Sequence, residues 1–400
     1  MIHSSSYKPR IIPVYGDVGS AEIDRLQELT ATTTLNRTKI EEIGRQGIVD
    51  WRKSSPAVSV ALRQLEYGNL EFYRKLANVG DSVTSIQLTD FRTSSVDIAG
   101  YKTDDSGTFL GTVYYPNLRI SGMGLSIGDP QALIERSFSL VGEDENILLY
   151  GNKYLIHKRE TISAGLNQAV TLTDPAPIAN PDDSGAWLFK VVRCRAGVST
   201  LLIHGTDWSY DGAGSLTING TSNTGDVILV WYSAGVDITG NNPFVLNDAD
   251  VAGITAECCS IYLQTSQYVY RLQSVGVDTT FDRNDVREIG SKDVVMRGIR
   301  DYTNRITLGR ILEQYTIEEI LRGKTGQNYG IIDVRNFTSN MNLVIKIYKD
   351  NTKKDFKLGW KFLNLAATGV DAGAPLNDYV TRGVTLECQD AFVSSVESVL

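Results

Sequence analysis

The sequence predicts a mainly β protein in which two copies of one unit flank an unrelated β-rich insert. Three observations lead to this prediction. The composition, with Gly 36 and Tyr 19 against Pro 10, favours strands and turns. A segment near the N-terminus recurs 246 positions later, as Arg25 and Arg271 illustrate. Apolar and polar residues alternate over short stretches, with the period of two that is typical of β-strands.

Length and charge restrict the possible classes. A chain of 400 residues with 42% hydrophobic content is long enough for more than one core, so several domains are expected. The net charge of −8 and the scattered Lys and Arg residues argue against a nucleic-acid-binding protein. The first residues lack the apolar run of a signal peptide, and no segment approaches the roughly 20 apolar residues of a membrane span. We therefore expect a protein that is made in the cytosol and has no membrane span.

The repeat is visible without any motif search. DRLQELTATTTLNRTKIEEIGRQGIV, from Asp24, aligns with YRLQSVGVDTTFDRNDVREIGSKDVV, from Tyr270, with many identities. Identities continue downstream at the same offset or one residue beyond it, at Leu62/Leu308, Phe91/Phe337, Arg136/Arg382, Leu140/Leu386, Asn117/Asn364 and Gly122/Gly369. The predicted division is an N-terminal arm (1–19), a first copy (20–150), an insert (151–262) and a second copy (263–400).

Each copy is predicted to begin with a strand that has one polar face. In the first copy the polar residues alternate with Leu29 and Ala31, and in the second with Val275 and Val277. The polar positions are Glu28, Thr30, Thr32 and Thr34 in the first copy and Ser274, Gly276, Asp278 and Thr280 in the second. Val60/Leu62 and Ile306/Leu308 mark a second strand.

One short helix is predicted in each copy, followed by further strands. The helices are NLEFYRKLANV and TIEEILRGKTG, with Asn69 and Thr316 as N-caps. The later strands include SVDIAGY, GTVYY, NLRISG and RSFSLVG, matched by NLVIKIY, KLGWKFL and RGVTLEC. Each copy is thus expected to be a β-sandwich or curled sheet that carries one helix.

The insert contains four further predicted strands, AWLFKVVRC, STLLIHG, SLTING and DVILVWYS, separated by Gly, Asp and Asn turns. This spacing is typical of an immunoglobulin-like β-sandwich. Because the insert lies at a boundary between the copies, we expect it on the outer surface.

Motifs for cofactors and metals are weak. RGKTG at 322–326 resembles a phosphate-binding loop, but the required first glycine is replaced by Glu318. Gly122, Gly124 and Gly128 are one residue too widely spaced for a dinucleotide fingerprint, and they are predicted to be turn or bulge glycines. The three histidines lack metal-ligand spacing, and the four cysteines are predicted to be buried free thiols. No cofactor is expected.

Acidic pairs and the distribution of histidines bear on calcium binding and catalysis. Asp248 with Asp250, and Asp104 with Asp105, are candidate Ca²⁺ ligands, although solvated turn residues are favoured. Neither copy contains a histidine, so a duplicated active site that uses one is excluded. The sequence therefore predicts a protein that is not an enzyme.

On the repeated block, the chain resembles phage tail tube proteins, in particular members from long-tailed phages in which the tube fold is duplicated. The alternating strand that ends in Asn/Asp-Arg, the EIG turn, the second strand and the short helix carry this resemblance. It implies that six tube folds close a β-barrel around a channel, so that three chains form a pseudo-hexameric ring and rings stack into a tube. It also implies a virion protein assembled in the host cytoplasm, with DNA passing through without specific binding and with the tape measure, tail terminator and tail tip proteins as partners.

The resemblance gives two sets of residues a role. The eight polar residues of the first strands, from Glu28 to Thr34 and from Ser274 to Thr280, would face the channel. Segments 38–56 and 284–302 would be arms that contact a neighbouring ring or subunit. Their candidate contact residues are Glu42, Gly44, Trp51, Arg52, Glu288, Gly290, Lys292 and Arg297.

Other interpretations stay open at the level of sequence. The polar strand face fits a solvated outer surface, and Gly44 and Gly290 fit simple turns. A second function is a tail-tip, baseplate or decoration protein whose insert binds host glycans through exposed Trp208, Tyr210 and Trp231. A third is a glycosidase-like enzyme with paired carboxylates.

Overall fold

The structure is a computed structural model. It describes residues 7–14, 18–40, 50–53, 56–104, 109–148, 154–173, 175, 190–196, 198–234, 253–264, 267–269, 272–287, 294–311, 316–322, 334–337, 340–373 and 380–400. Strands dominate these residues and helices are few, which confirms the predicted mainly β class.

The region before the insert, residues 7–148, is called unit 1. A short 3-10 turn, Leu88–Phe91, follows its seventh strand. The helix and strands of unit 1 are β1 (Tyr7–Pro13), β2 (Ala21–Glu22), β3 (Leu26–Thr34), β4 (Arg37–Ile40), β5 (Asp50–Lys53), β6 (Ala57–Leu65), α1 (Glu71–Ala77), β7 (Ser85–Gln87), β8 (Val96–Thr103), β9 (Phe109–Ile127), β10 (Glu135–Gly142) and β11 (Asn146–Leu148).

The insert and the region after it supply the remaining elements. The region after the insert, residues 253–400, is called unit 2. The insert contains β12 (Tyr154–Ile162), β13 (Gly165–Thr171), β14 (Lys190–Arg195), β15 (Val198–Leu201), β16 (Trp208–Tyr210), β17 (Ser215–Ser222) and β18 (Asp226–Ala234). Unit 2 contains β19 (Cys259–Leu263), β20 (Gln267–Tyr268), β21 (Leu272–Arg287), β22 (Val294–Ile311), α2 (Thr316–Leu321), β23 (Met341–Tyr348), β24 (Phe356–Gly373), β25 (Thr381–Cys388) and β26 (Asp390–Ser394). Its 3-10 turns are Ala256–Cys258, Val334–Asn336 and Glu397–Val399.

One antiparallel sheet of eight strands runs through both units and is called the inner sheet. Its order is β3-β6-β10-β9-β21-β22-β25-β24. Unit 1 supplies the first four strands and unit 2 the last four. The two units are therefore joined inside the chain by the pairing of β9 with β21.

Two outer sheets cover one face of the inner sheet. The outer sheet of unit 1 has the order β2-β1-β8-β9-β11, and that of unit 2 has the order β20-β19-β23-β24-β26-β7. Strands β9 and β24 are long enough to take part in both layers. The sequence predicted β9 as two strands, GTVYY and NLRISG. Pro116 between them removes one N–H group, and the pairing with β8 is interrupted there, but the strand continues into the inner sheet.

The two units arrange equivalent strands alike. β10 pairs with β9, and β25 with β24, with a register shift at the same place in each unit, next to Ser139 and Thr385 respectively. β1 occupies in unit 1 the place that β19 occupies in unit 2. The segment predicted as an N-terminal arm therefore contains a paired strand over Tyr7–Pro13, and β19 belongs to unit 2 although it lies before residue 263.

The main core lies between the inner sheet and the two outer sheets and extends through both units. Apolar side chains from alternate positions of the inner strands, such as Val60 and Ile306, meet residues of the outer sheets such as Ile98 and Ile345. Both helices cover the core with their apolar residues, which include Phe72, Tyr73, Leu76, Ile317, Ile320 and Leu321.

The helices lie where the sequence predicted them, with shorter bounds. Asn69 precedes α1, and its Oδ1 accepts a hydrogen bond of 2.7 Å from the N–H of Glu71. Helix α1 ends at Ala77 because Asn78 adopts a left-handed conformation. Helix α2 begins at Thr316 itself and ends at Leu321, whereas the prediction extended it to Gly326.

The insert forms a two-layer sandwich. Its sheets have the orders β12-β18-β14-β15 and β13-β17-β16, and apolar residues of both sheets, including Ile228 and Leu216, share one core. The first of these sheets also packs against the outer sheet of unit 1. There, Leu229 and Trp231 of β18 join Ile12, Ala99 and Tyr114 in a separate apolar cluster. Strand β18 is consequently buried along its whole length.

Candidate functional site

The open face of the inner sheet is a polar surface that both units build together, and it is called the polar face. Side chains from all eight strands reach it. One row of directly paired residues crosses it and contains Glu28, Arg63, Ser137, Gly124, Asp278, Arg305 and Glu387. A neighbouring row contains Thr30, Ala61, Ser139, Gly122, Thr280 and Thr303. Small and polar groups thus form a continuous surface.

The structure places all eight polar residues of the predicted first strands on the polar face. Each is exposed, except Gly276, which is partly exposed. The intervening residues point into the core: Val275, Val277 and Phe281 are buried, and Leu29 and Ala31 are partly buried. That the polar face lines a channel remains a prediction.

Two arginines of the polar face, Arg63 and Arg305, lie next to acidic residues. Arg63 forms ion pairs with Glu28 at 3.4 Å and with Glu135 at 3.6 Å. Arg305 pairs across the strands with Asp278 and Glu387. Because these guanidinium groups have acidic neighbours, the face offers little unbalanced positive charge to a passing phosphate.

Two glycines of the predicted GxGxxxG pattern, Gly122 and Gly124, belong to this sheet. They lie inside strand β9 and not in a turn. A Cβ atom on Gly124 would lie 2.6 Å from Ser137 Oγ and 3.3 Å from the carbonyl oxygen of Val277. Gly122 lies next to the register shift between β9 and β10. Strand β9 therefore needs glycine at 124 to fit between β10 and β21.

The predicted arm residues lie on hairpins beyond the inner sheet, as far as the structure describes them. Trp51 and Arg52 belong to β5, which pairs only with β4 among the described strands. Arg297 belongs to β22 and pairs with Asp285. The remaining arm residues, Glu42, Gly44, Glu288, Gly290 and Lys292, lie outside the described residues.

A buried ion pair joins the insert to unit 1. Lys190 Nζ of β14 lies 3.3 Å from Asp97 Oδ2 of β8 and donates to Asn117 Oδ1 at 2.9 Å. Asp97 also accepts hydrogen bonds from the Tyr114 hydroxyl and the N–H of Asn117, each at 2.7 Å. Burial lowers the pKa of Lys190, an effect that Asp97 opposes.

Sequence reasoning did not identify a second buried charge network, which ties each helix region to the inner sheet. In unit 1, Arg136 donates to Gln64 at 3.2 Å and pairs with Glu66 at 3.5 Å. Burial opposes the charge of Arg136, but Glu66 and two tyrosines raise its pKa above the usual range. In unit 2, Arg382 lies 2.7 Å from Glu318, which also pairs with Arg310. The identity of Arg136 and Arg382 in the repeat was the available signal.

Two of the three aromatic residues expected to be exposed for glycan binding, Trp208 and Trp231, are buried, so the predicted exposure was wrong for them, while glycan binding by the insert stays a prediction. Trp231 has a relative exposure of 1% and Trp208 of 5%, and both belong to apolar clusters. Tyr210 is partly buried against the core of the insert. Both faces of β18 are covered, one by the sandwich and one by unit 1, so Trp231 has no route to the surface.

The described residues offer few candidates for a reactive thiol or a metal site. All four cysteines are free and buried, as predicted, and burial raises the pKa of Cys259 and of Cys388 to about 12, which disfavours the reactive thiolate. In the described part of the chain, no group of three or more His, Cys, Asp or Glu side chains is arranged to hold a metal ion. No helix among the described residues is long and apolar enough to span a membrane.

Comparisons with known proteins give distant structural similarity only. No protein-family model matches the sequence, and no curated protein matches it. The structure is similar to a chain in the sheath–tube complex of an extracellular contractile injection system (14% identity, 36% of this chain and 92% of that chain, TM-score 0.27). It is also similar to chains in the tube-terminating cap of the anti-feeding prophage (13% identity, 40% and 100%, TM-score 0.29) and in its baseplate (12% identity, 36% and 93%, TM-score 0.26). TM-scores of this size do not establish a shared fold.

Proposed function

We propose that the protein is a structural virion protein whose chains assemble into homotrimeric, pseudo-hexameric rings that stack into a phage tail tube, the channel for DNA. The observation that carries this proposal is the inner sheet. It joins two units of like topology edge to edge and presents one continuous polar face. Its two end strands, β3 and β24, leave edges that further units of the same kind can extend.

The register of the inner sheet supports closure into a barrel. The row that starts at Glu28 reaches β21 at Asp278, whereas the residue equivalent to Glu28 is Ser274. The row has therefore advanced four residues over four strands, or one residue per strand. With a rise of about 3.3 Å per residue and a spacing of about 4.8 Å between strands, this corresponds to a strand tilt of about 35°. Closed β-barrels have tilts in this range.

Three chains give a barrel that is wide enough for a DNA duplex. Each chain contributes eight inner strands, so three chains contribute twenty-four and supply the six units that the resemblance implies. Twenty-four strands at a tilt of about 35° close with a backbone radius of roughly 22 Å. Such a channel is wider than a DNA duplex.

The lining suits passage of DNA without binding. The polar face presents Thr, Ser, Gly and carboxylates, and its Arg63 and Arg305 have acidic neighbours. Phosphate affinity in proteins depends on Lys and Arg residues that displace counterions from the nucleic acid. This surface is therefore expected not to bind the duplex. The eight channel-facing residues predicted from the sequence all belong to this lining.

The hairpins beyond the inner sheet are proposed to make the contacts between rings. They comprise β4 with β5, and the ends of β21 and β22, and they carry Trp51, Arg52 and Arg297. Other proposed partners are the tape measure, tail terminator and tail tip proteins, and assembly is proposed to occur in the host cytoplasm. No catalytic step is assigned to the protein.

The proposal is tested by assembly of the purified full-length chain. Sedimentation velocity and negative-stain electron microscopy under assembly-promoting conditions, such as high protein concentration, are expected to show rings or tubes with a central channel. Monomers alone, or closed particles without a channel, contradict the proposal.

A further inference from the structure

We propose that β24 of one chain pairs with β3 of a second chain in the register by which β9 pairs with β21 inside each chain. This inference rests on the proposed function and names its interface. The junction between the units is thus a template for the junction between chains. When each residue of the internal junction is replaced by its equivalent in the other unit, Thr34 of one chain pairs with Gly369 of the other, Thr32 with Asp371 and Thr30 with Gly373.

The equivalences follow from the strand pairs of each unit. At the internal junction, Thr280 pairs with Gly122 and Asp278 with Gly124. In unit 1, Ser139 pairs with Gly122, and in unit 2, Thr385 pairs with Gly369, so these two glycines occupy the same place. Among the described residues, β3 pairs only with β6, and the end of β24 from Gly369 onward pairs only with β25. Both edges therefore have free hydrogen-bonding groups for the transferred register.

Exposed apolar side chains mark the same surfaces. At the internal junction, Phe281, Leu88 and Val393 have relative exposures of 2%, 2% and 0%. Their equivalents, Leu35, Val334 and Ile147, have exposures of 61%, 49% and 57%. A junction between chains of the same geometry covers all three. This match favours a second chain as the occupant over an unrelated partner.

Aromatic and arginine contacts of the internal junction also have equivalents at the proposed junction between chains. Phe91 of unit 1 packs against Phe281 of unit 2, with ring centroids 6.2 Å apart, and the equivalent pair is Phe337 with Leu35 of the second chain. The guanidinium group of Arg283 donates to the carbonyl oxygens of Ile120 and, at 3.3 Å, of Phe91. Arg37 is the equivalent arginine and is exposed. In the assembly, Arg37 donates to the carbonyl oxygens of Ala367 and Phe337 of the neighbouring chain.

Disulfide crosslinking of the full-length chain tests the register. The double variant Thr32→Cys/Asp371→Cys places thiols directly opposite each other across the proposed junction, within the Cα separation of about 4.4–6.8 Å that a disulfide needs. Because each chain supplies one partner to each neighbour, mild oxidation is expected to give covalent dimers and trimers on a non-reducing gel, with the series ending at the trimer. The native cysteines are buried and stay reduced.

A matched control shares one of the two cysteines. In Glu28→Cys/Asp371→Cys the thiols are displaced by four residues, or about 13 Å, so crosslinking is expected to be lost. If the wild-type chain forms tubes but the matched pair crosslinks no better than this control, the register is wrong while the proposed function stands. If the wild-type chain forms no rings or tubes, the proposed function itself fails.

A second variant keeps the interface testable if the cysteine pair disturbs assembly. Leu35→Asp places a charge in the proposed apolar contact, and the chain is expected to stay monomeric with an unchanged Tm. Leu166→Asp changes an equally exposed leucine on the insert and is expected to assemble normally. Normal assembly of Leu35→Asp overturns the inference.

Discussion

At the scale of single residues, the carboxylate of Asp97 holds together the insert and unit 1. It is fully buried and serves Lys190, the Tyr114 hydroxyl and the N–H of Asn117. Replacing it with alanine leaves an ammonium group without its counter-ion in a largely buried site. We expect Asp97→Ala to lower the free energy of unfolding by about 3–5 kcal/mol, measured by chemical denaturation. Asp129→Ala, which changes an exposed acid, is expected to cost less than about 1 kcal/mol. Equal losses in the two variants contradict this account.

His157 makes the stability of the insert depend on pH. Burial, followed by the nearby cations Lys190, Arg10 and Lys75, lowers its pKa from 6.5 to about 3. The folded state thus keeps the ring neutral, while the unfolded chain takes up a proton near pH 6.5. The free energy of unfolding is therefore unaffected by His157 above that pH and decreases below it, by up to about 1.4 kcal/mol per pH unit. Thermal unfolding of His157→Gln is expected to show a flatter dependence between pH 6.5 and 4. An equally steep dependence in the variant contradicts this account.

At the scale of elements, the pairing of β9 with β21 depends on Gly124. A larger side chain there meets Ser137 Oγ and the backbone of Val277, which belongs to the partner strand and cannot move without loosening the junction. We expect Gly124→Val to lower the free energy of unfolding by about 1–3 kcal/mol. Gly128 follows the end of the same strand and has no atom within 4 Å of the added Cβ, so Gly128→Val serves as the control. If the control loses as much stability, the close approach at Gly124 is not the cause.

The sequence predicted those elements whose pattern is local. The alternation from Glu28 to Thr34 was sufficient to identify β3 and its exposed side chains, and the repeat transferred this result to β21. The continuity of β9 through Pro116 could not be predicted, because it depends on a second layer that accepts the end of the strand. The burial of Trp231 depends likewise on contact with unit 1, which is distant in sequence.

The order of the strands in the inner sheet could also not be predicted from the sequence. It requires β9 to find β21 across the whole insert, and no local pattern encodes such a pairing. The ion pairs of Arg136 and Arg382 with their glutamates have the same origin, since the partners lie on different elements. Only the identity of the two arginines in the repeat pointed to them.

At the scale of the whole molecule, the two units differ in what covers their outer sheets. In unit 1, Ala99 and Tyr114 form an apolar surface beneath the insert. In unit 2, the position equivalent to Tyr114 is Lys361, and neighbouring Lys346 forms an ion pair with Glu397 at 2.9 Å. The insert is therefore required as a cover only in unit 1.

This difference predicts the effect of removing the insert. Replacing residues 151–252 with a short Gly-Ser linker exposes the apolar surface of unit 1, so the truncated chain is expected to aggregate, as measured by light scattering. Adding Tyr114→Lys, the residue present in unit 2, is expected to restore much of the solubility. Full solubility of the truncated chain without the added lysine shows that the insert is not needed as a cover.

We propose that two units per chain make three chains per ring. Cryo-electron microscopy of assembled tubes measures the rotational symmetry of one ring directly. The proposed ring is expected to show threefold symmetry with approximate sixfold character inside, a continuous wall of twenty-four inner strands, and three inserts on the outer surface. A ring of six complete chains with true sixfold symmetry, or an inner wall in which β3 and β24 of neighbouring chains do not meet, contradicts this proposal.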